Sequence, residues 1–420
     1  MPHLKAANQQ FIMAYQVHRL SNGIRLIHKP VDSPVAHCGL VINAGSRDES
    51  VAEQGLAHFI EHTIFKGTGR RKTHHILSHM ENVGGELNAY TTKEDTCIYA
   101  SFMYPFYKRW FDLLSDIIFN SVFPEKEILR EKDIIIDEIN AYKDSPGEQI
   151  FDDFDAVVFR EHPLGQNILG TPATIKKINR DHILRFMAMN YLSEHMVICS
   201  VGRIAFTKLI RLAERYFGHA SQGTQHNQRT AFNNYRASHQ VVKRRNHQAH
   251  CMLGNQAYDS NHDLKTTMVL LNNILGGPGL NSRLNMGIRE KHGFCYNIES
   301  HYQPYSDSGI FSIYFGTDPD DIDKTRSLII KELTRLRQNS LGSLSLKRAK
   351  QQLTGQVAIS FESNLSEMLT IGKSLLLFDR VDTLEEINKK IDAVSSSMLM
   401  EAANQIFEPS QLSSLTFKPR

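Results

Sequence analysis

His58, Glu61 and His62 are the residues of this chain whose types and spacing could do chemistry. Side chains four apart on a helix lie roughly 40° apart around its axis, and Glu61 falls on the same arc. Two neutral imidazoles can share one Zn²⁺, and a carboxylate beside them can take a proton from a metal-bound water. The segment His58-Phe59-Ile60-Glu61-His62 is thus an H-x-x-E-H pattern. In a chain with 20 histidines a lone pentapeptide has chance matches, so its surroundings matter. Leu56, Ala57, Phe59 and Ile60 are apolar and Gly67 ends the run, which predicts a helix with dry surroundings for the His-Glu-His arc.

A catalytic zinc takes three protein ligands and keeps one position open. A second helix is predicted from about Pro124, a residue suited to a first helical position, to about 144, stopping before Ser145-Pro146-Gly147. Glu131 and Glu138 are two turns apart on it and share a face with Ile134 and Ile135. By themselves two such glutamates read as an exposed acidic stripe.

The elements that must position these residues alternate along the chain. Residues 15–20 and 24–28 flank Asn22-Gly23 as a hairpin. Strands are predicted at 37–43, 97–104 and 196–201, the last closing the unit. Helices are predicted at 76–83, 105–121 and 180–190. The second half repeats the pattern, with strands at 239–245, 250–255, 309–317 and 412–417 and helices at 264–275 and 346–360. The expected fold is α+β: two homologous α/β sandwich domains, each a mixed or antiparallel sheet flanked by helices. The polar stretch 219–236 is the expected linker, between an N-terminal zinc-binding domain (1–218) and a metal-free C-terminal domain (237–420). Neither helix of the second half carries H-x-x-E-H or a counterpart of Glu138.

Composition excludes several classes. At 420 residues and 41% hydrophobic the chain can bury more than one core. A net charge of +3 gives no reason to expect a nucleic-acid partner. Between Arg203 and His250, nine Lys/Arg face one acidic residue, Glu214, which reads as a solvated linker flank. The five cysteines are scattered and lack C-x-x-C spacing, so free thiols in a reducing compartment are expected. Residues 1–15 hold no apolar signal core and no stretch reaches the ~18 apolar residues of a membrane span, so a cytoplasmic, membrane-free protein is expected. Gly276-Gly277-Pro278-Gly279 lacks the spacing of a phosphate or dinucleotide loop and reads as a flexible turn beside the cleft. His74, His75 and His79 have no glutamate placed with them and read as surface or core histidines.

The stretch from Gly55 through Gly84-Gly85-Glu86-Leu87-Asn88-Ala89-Tyr90-Thr91-Thr92 resembles the pitrilysin/insulinase family of zinc metallopeptidases. The likeness is greatest to its short-chain branch, bacterial relatives of the mitochondrial processing peptidase β subunit. Further matching segments follow in order: Glu131 to Glu138, His162-Pro163-Leu164-Gly165, Ile168 to Thr171, Gly276 to Leu284 and Ile288 to Tyr296. The resemblance implies one Zn²⁺ per chain on His58, His62 and Glu138, with Glu61 as general base and Glu131 orienting the site. Asn88 and Ala89 would lie on an edge strand holding substrate backbone, and Arg289 and Tyr296 would contact substrate and stabilise the oxyanion. Thr63 stands where many relatives have methionine. The implied activity is a metalloendopeptidase acting on unfolded peptides. Because the chain equals one half of the family's clamshell, the implied assembly is a homodimer, or a heterodimer with a related chain. A non-catalytic or partner-requiring subunit on the same fold is the alternative.

Overall fold

The computed structural model describes residues 15–220 and 229–420. The first half contains β1 (Gln16–Arg19), β2 (Arg25–Pro30), β3 (Val35–Ile42), α1 (Leu56–Thr63), α2 (Thr73–Glu81), β4 (Glu86–Thr91) and β5 (Thr96–Met103). There follow α3 (Tyr107–Phe119), α4 (Glu125–Lys143), α5 (Pro146–Val158), α6 (Pro172–Lys177), α7 (Arg180–Asn190), β6 (Met196–Gly202) and α8 (Phe206–Phe217). The second half contains β7 (His239–Arg244), β8 (Ala249–Ala257), α9 (Lys265–Gly276), a π-helical turn at Asn285–Glu290, β9 (Cys295–Pro304) and β10 (Gly309–Thr317). It ends with α10 (Ile322–Gln338), α11 (Ser343–Ser360), α12 (Asn364–Phe378), α13 (Leu384–Ala393), α14 (Ser396–Ile406) and β11 (Ser413–Pro419).

The strands form two sheets, ordered β1-β2-β6-β3-β5-β4 and β7-β11-β8-β10-β9. In each, the last strand in sequence pairs parallel with the first long one, β6 with β2 and β11 with β7, while the other pairs are antiparallel. A parallel partner demands a long crossover, which the intervening helices supply. β6, the strand expected to close its unit in the sequence, is the last strand of the first half and a fully buried central strand of its sheet. One edge, opposite β1, is β4, the strand of Asn88 and Ala89, and its counterpart in the second sheet is β9. The fold is the expected mixed α/β architecture with helices flanking two sheets.

Two helices leave their own half. Ile150, Phe154 and Val157 of α5 pack with Met252, Tyr314 and Phe417 of the second sheet. Met368, Ile371 and Leu375 of α12 pack with Ile27, Val41 and Val197 of the first. Each helix follows the long helix of its half, α4 or α11, so the exchange is reciprocal. Burying a side chain of this size contributes roughly 1.5–3 kcal/mol, so each sheet depends on the other half for part of its core. Both helices escape a simple reading of the sequence. Ser145-Pro146-Gly147 was expected to be a stop, and it is one for α4, yet Pro146 is also the first residue of α5.

The charge run from Arg203 to His250 is not simply a solvated flank. Arg229 donates to both Asp48 oxygens at 2.9 and 2.8 Å, and Phe232 is buried against Phe159. Arg47, nearly fully buried, joins Glu94 and Asp307 at 2.6 Å, tying the β4–β5 turn to the β9–β10 turn. Residues 221–228 of the expected linker lie outside the described residues. All five cysteines are free and buried. Among the described residues no helix is long and apolar enough to cross a membrane.

Candidate active site

Helix α1, which carries His58, Glu61 and His62, starts at a constrained point. Gly55 has φ +91°, and a Cβ there would meet the Leu169 carbonyl oxygen at 2.7 Å, so glycine is required. The buried Glu49 carboxylate accepts the N–H groups of Gly55 at 2.8 Å and Ala57 at 2.7 Å, satisfying donors that a helix start leaves unpaired. Leu56, Ala57, Phe59 and Ile60 are fully buried, which fixes the rotation of the helix. Thr63 donates its hydroxyl to the Phe59 carbonyl at 2.7 Å, so the residue that departs from many relatives is satisfied within the helix. Helix α4 is anchored by buried Ile128, Ile135 and Ile139 and lies against α1.

That packing brings His58, His62 and Glu138 together, with their potential ligand atoms all within 4.8 Å of one another. Glu138 Oε2 stands 3.9 Å from His58 Nε2 and 3.7 Å from His62 Nε2. These separations are too long for hydrogen bonds. Tetrahedral bonds of about 2.1 Å would put neighbouring donors about 3.4 Å apart, so the set fits a small cation such as zinc. Glu131, almost fully buried, sits 3.2 Å from His62 Nδ1, which leaves Nε2 for the cluster. Its other oxygen pairs with Lys66 at 2.8 Å. Glu131 is thus no part of an exposed stripe. The His62 and Lys66 contacts hold its carboxyl below the usual range against the opposing effect of burial.

Burial pushes the Glu61 carboxyl up, and the charge of Glu138 adds to this, while Thr91 and His62 pull the other way. A carboxylate of raised proton affinity beside two imidazoles is suited to shuttle a proton. Burial, with the charge of His62, lowers His58 to about 4, so its imidazole is neutral and able to bind a metal.

Asn88 and Ala89 pair with Tyr99 and Ile98 of β5, and the other side of β4 carries no strand among the described residues. Arg289 and Tyr296 share a different place. They line a recess of about 270 Å³ with Asn285, Asn297, Ile298 and Glu299, and no residue of the metal cluster lines it. Arg289 donates to Asn285 at 3.2 Å and Tyr296 is 60% exposed. The glycine run is a close-packed turn: a Cβ on Gly276 would come within 2.7 Å of the Ser300 nitrogen. Sequence reasoning missed Glu49, Lys66 and Thr91. Lys66 lies just beyond the end of α1, in the bend after Thr63.

The family described as Insulinase (Peptidase family M16) matches residues 25–172, and the one described as Peptidase M16 inactive domain matches residues 177–353. The chain belongs to the insulinase family. An uncharacterised zinc protease of Bacillus subtilis is 32% identical over 92% of this chain and 94% of that protein. The mitochondrial-processing peptidase subunit beta of Bos taurus is 29% identical over 92% of this chain and 80% of that protein. In fold, the chain is similar to a protease from Helicobacter pylori, with TM-score 0.88 at 20% identity over 96% of this chain and 99% of that one. It is likewise similar to a peptidase M16 inactive domain from Pseudomonas fluorescens, with TM-score 0.90 at 19% identity over 97% and 98%. As the second matched description would lead one to expect, the metal-type cluster found among the described residues lies in the first half.

Proposed function

We propose that this insulinase-family chain is a zinc-dependent endopeptidase hydrolysing unfolded peptides or oligopeptides. The observation that carries the reading is the convergence of His58, His62 and Glu138, with Glu61 on the same helix face. Held by those three residues, one zinc per chain would lower the pKa of a coordinated water to about 7 and polarise the scissile carbonyl. Glu61 takes the proton of the attacking water and returns it to the leaving amine. Glu131 orients His62 through Nδ1. An extended substrate pairs with the free side of β4 at Asn88 and Ala89, recognised by backbone shape more than by sequence. Arg289 and Tyr296 contact the substrate and stabilise the oxyanion. The domain division at 218 and 237 separates the metal-binding unit from the substrate-contacting one.

The decisive assay is cleavage of a quenched-fluorescent, unstructured peptide by zinc-loaded wild type and Glu61→Gln. Wild-type cleavage, with the variant binding zinc but far slower, supports the reading. No cleavage by either, with zinc bound, favours a partner-requiring subunit.

A specific observation bears on assembly: Arg289 and Tyr296 line a recess apart from the metal cluster. We propose that a second chain, identical or related, supplies them across a closed chamber. Mixing Glu61→Gln with Arg289→Ala chains tests this: partial rescue of activity supports shared sites, and its absence in every mixture removes the idea.

A further inference from the structure

A cavity of about 990 Å³ lies apart from the metal cluster, and none of His58, Glu61, His62 and Glu138 lines it. It opens between α12, which is packed on the first sheet, and α9, α11 and α13 of the second half. Its walls include Leu353, Val357, Phe361, Ile371 and Ile391, an apolar surface of the kind that holds small ligands.

Most of the charges around it are paired; Asp263, also on its lining, is exposed to solvent. Arg25 donates to Asp379 at 3.2 Å and to the Leu375 carbonyl at 2.8 Å. Arg380 and Lys390 both pair with Asp382. Lys265 differs. Its ammonium stands 4.4 Å from the centre of the Phe378 ring, and no carboxylate among the described residues lies within ion-pair distance of it. Asp382 and Asp259 act on it only from further away, and Lys390 opposes them. Burial, with the charge of Lys390, pushes this amine below the ordinary lysine range. A partly desolvated cation at the rim of an apolar cavity lacks an anion.

We propose that this cavity binds a linear apolar monocarboxylate of the fatty-acid class, its carboxylate on Lys265 and its tail along Leu353, Val357 and Phe361. Charge complementarity selects the head group. A single negative charge matches Lys265, whereas a phosphate or dicarboxylate would bring further charge toward Asp379 and Asp382. The apolar walls select the tail: a peptide with a free C-terminus would bury backbone amides that these side chains cannot satisfy. Such a ligand would lie in a cavity walled by the helix laid on the first sheet and by three helices of the second half.

The test is calorimetric titration of the full chain with decanoate below its micelle concentration, beside decanamide, which has the same body without the charge. The expected result is one site per chain. Decanamide on wild type, and decanoate on Lys265→Gln, should each be weaker by at least about tenfold, while Lys265→Arg keeps its affinity within about threefold. Val357→Trp, which fills the cavity without touching the charge, should also abolish binding, so the question is decided even if Lys265→Gln fails to fold. No saturable binding, equal affinity for acid and amide, or full-strength binding by the Val357→Trp variant overturns the proposal. So does tighter binding of an apolar pentapeptide carboxylate than of decanoate.

Discussion

In the first half α1 lies against the edge strand β4 and α4 packs on α1; in the second α9 lies against β9 and α11 packs on α9. The strand order around both sites is the same. The side chains are not. α1 presents two histidines and a glutamate among buried Phe59 and Ile60, and α4 adds Glu131 and Glu138. α9 buries Met268, Leu271 and Leu275, and α11 carries Gln352, which bonds Asn281 instead of facing a metal-type cluster. A scaffold used twice can keep its backbone plan and give chemistry to one copy only, because strand order depends on apolar burial while a metal site depends on a few polar residues. The second copy is still not passive, since its α12 completes the core behind the first sheet.

The sharpest way to break this contrast is at the metal cluster. His62→Ala should reduce bound zinc to near zero and remove activity, while Gln352→Ala at the corresponding helix of the second half leaves zinc content unchanged, as metal analysis of both would reveal. Next, Glu61→Gln should keep its zinc and lose roughly 10²–10⁴ in kcat. A loss confined to KM would remove the general-base role.

The reciprocal exchange of helices makes a stability prediction. Phe154→Ala in α5 should cost about 3–5 kcal/mol and Ile371→Ala in α12 about 2–5 kcal/mol. Because each helix fills the other half's core, urea unfolding followed by both fluorescence and circular dichroism should stay a single transition. Separate transitions for the two halves would mean that the exchange does not couple them.

A buried histidine of the first sheet sharpens the comparison by pH. His28 of β2 is fully buried, 3.2 Å from Ser200 of β6, and burial lowers it to about 4. Its folded pKa is below the unfolded value of about 6.5, so the unfolded chain binds the proton first. The stabilisation is present above about 6.5 and is lost as pH falls through 4, a change of about 3 kcal/mol. His28→Leu should flatten the dependence of unfolding free energy on pH between those limits. An unchanged slope would show that His28 is not the titrating group. The smallest expected effect is Glu131→Gln, which should weaken zinc about 10–100-fold by freeing His62, measured by competition with a chelator. An unaltered affinity would reduce Glu131 to an ion pair with Lys66.

Much of this was legible in the order of residues. The Asn22-Gly23 hairpin, the helix at His58–His62 and the long helix after Pro124 announce themselves by local turn chemistry and periodicity, whereas the edge strand with Asn88 and Ala89 was implied only by the family resemblance. The two arcs, His58-Glu61-His62 and Glu131–Glu138, also announce themselves, because spacing along a helix is a local property. Local pattern could not say that these arcs face each other, that β6 runs through the middle of its sheet, or that α5 and α12 change places. Nor could it show that, in a stretch that reads as linker, Phe232 would be buried and Arg229 paired with Asp48. Those outcomes come from long-range burial: which apolar faces find each other once the chain is folded, and which charges then lose water and need partners. The sequence by itself determined the residue types of the candidate ligands, their helical spacing and the repeated pattern of elements. The tertiary structure decided which glutamate faces the histidines, which holds His62 in place, and that Arg289 and Tyr296 lie in a recess of their own.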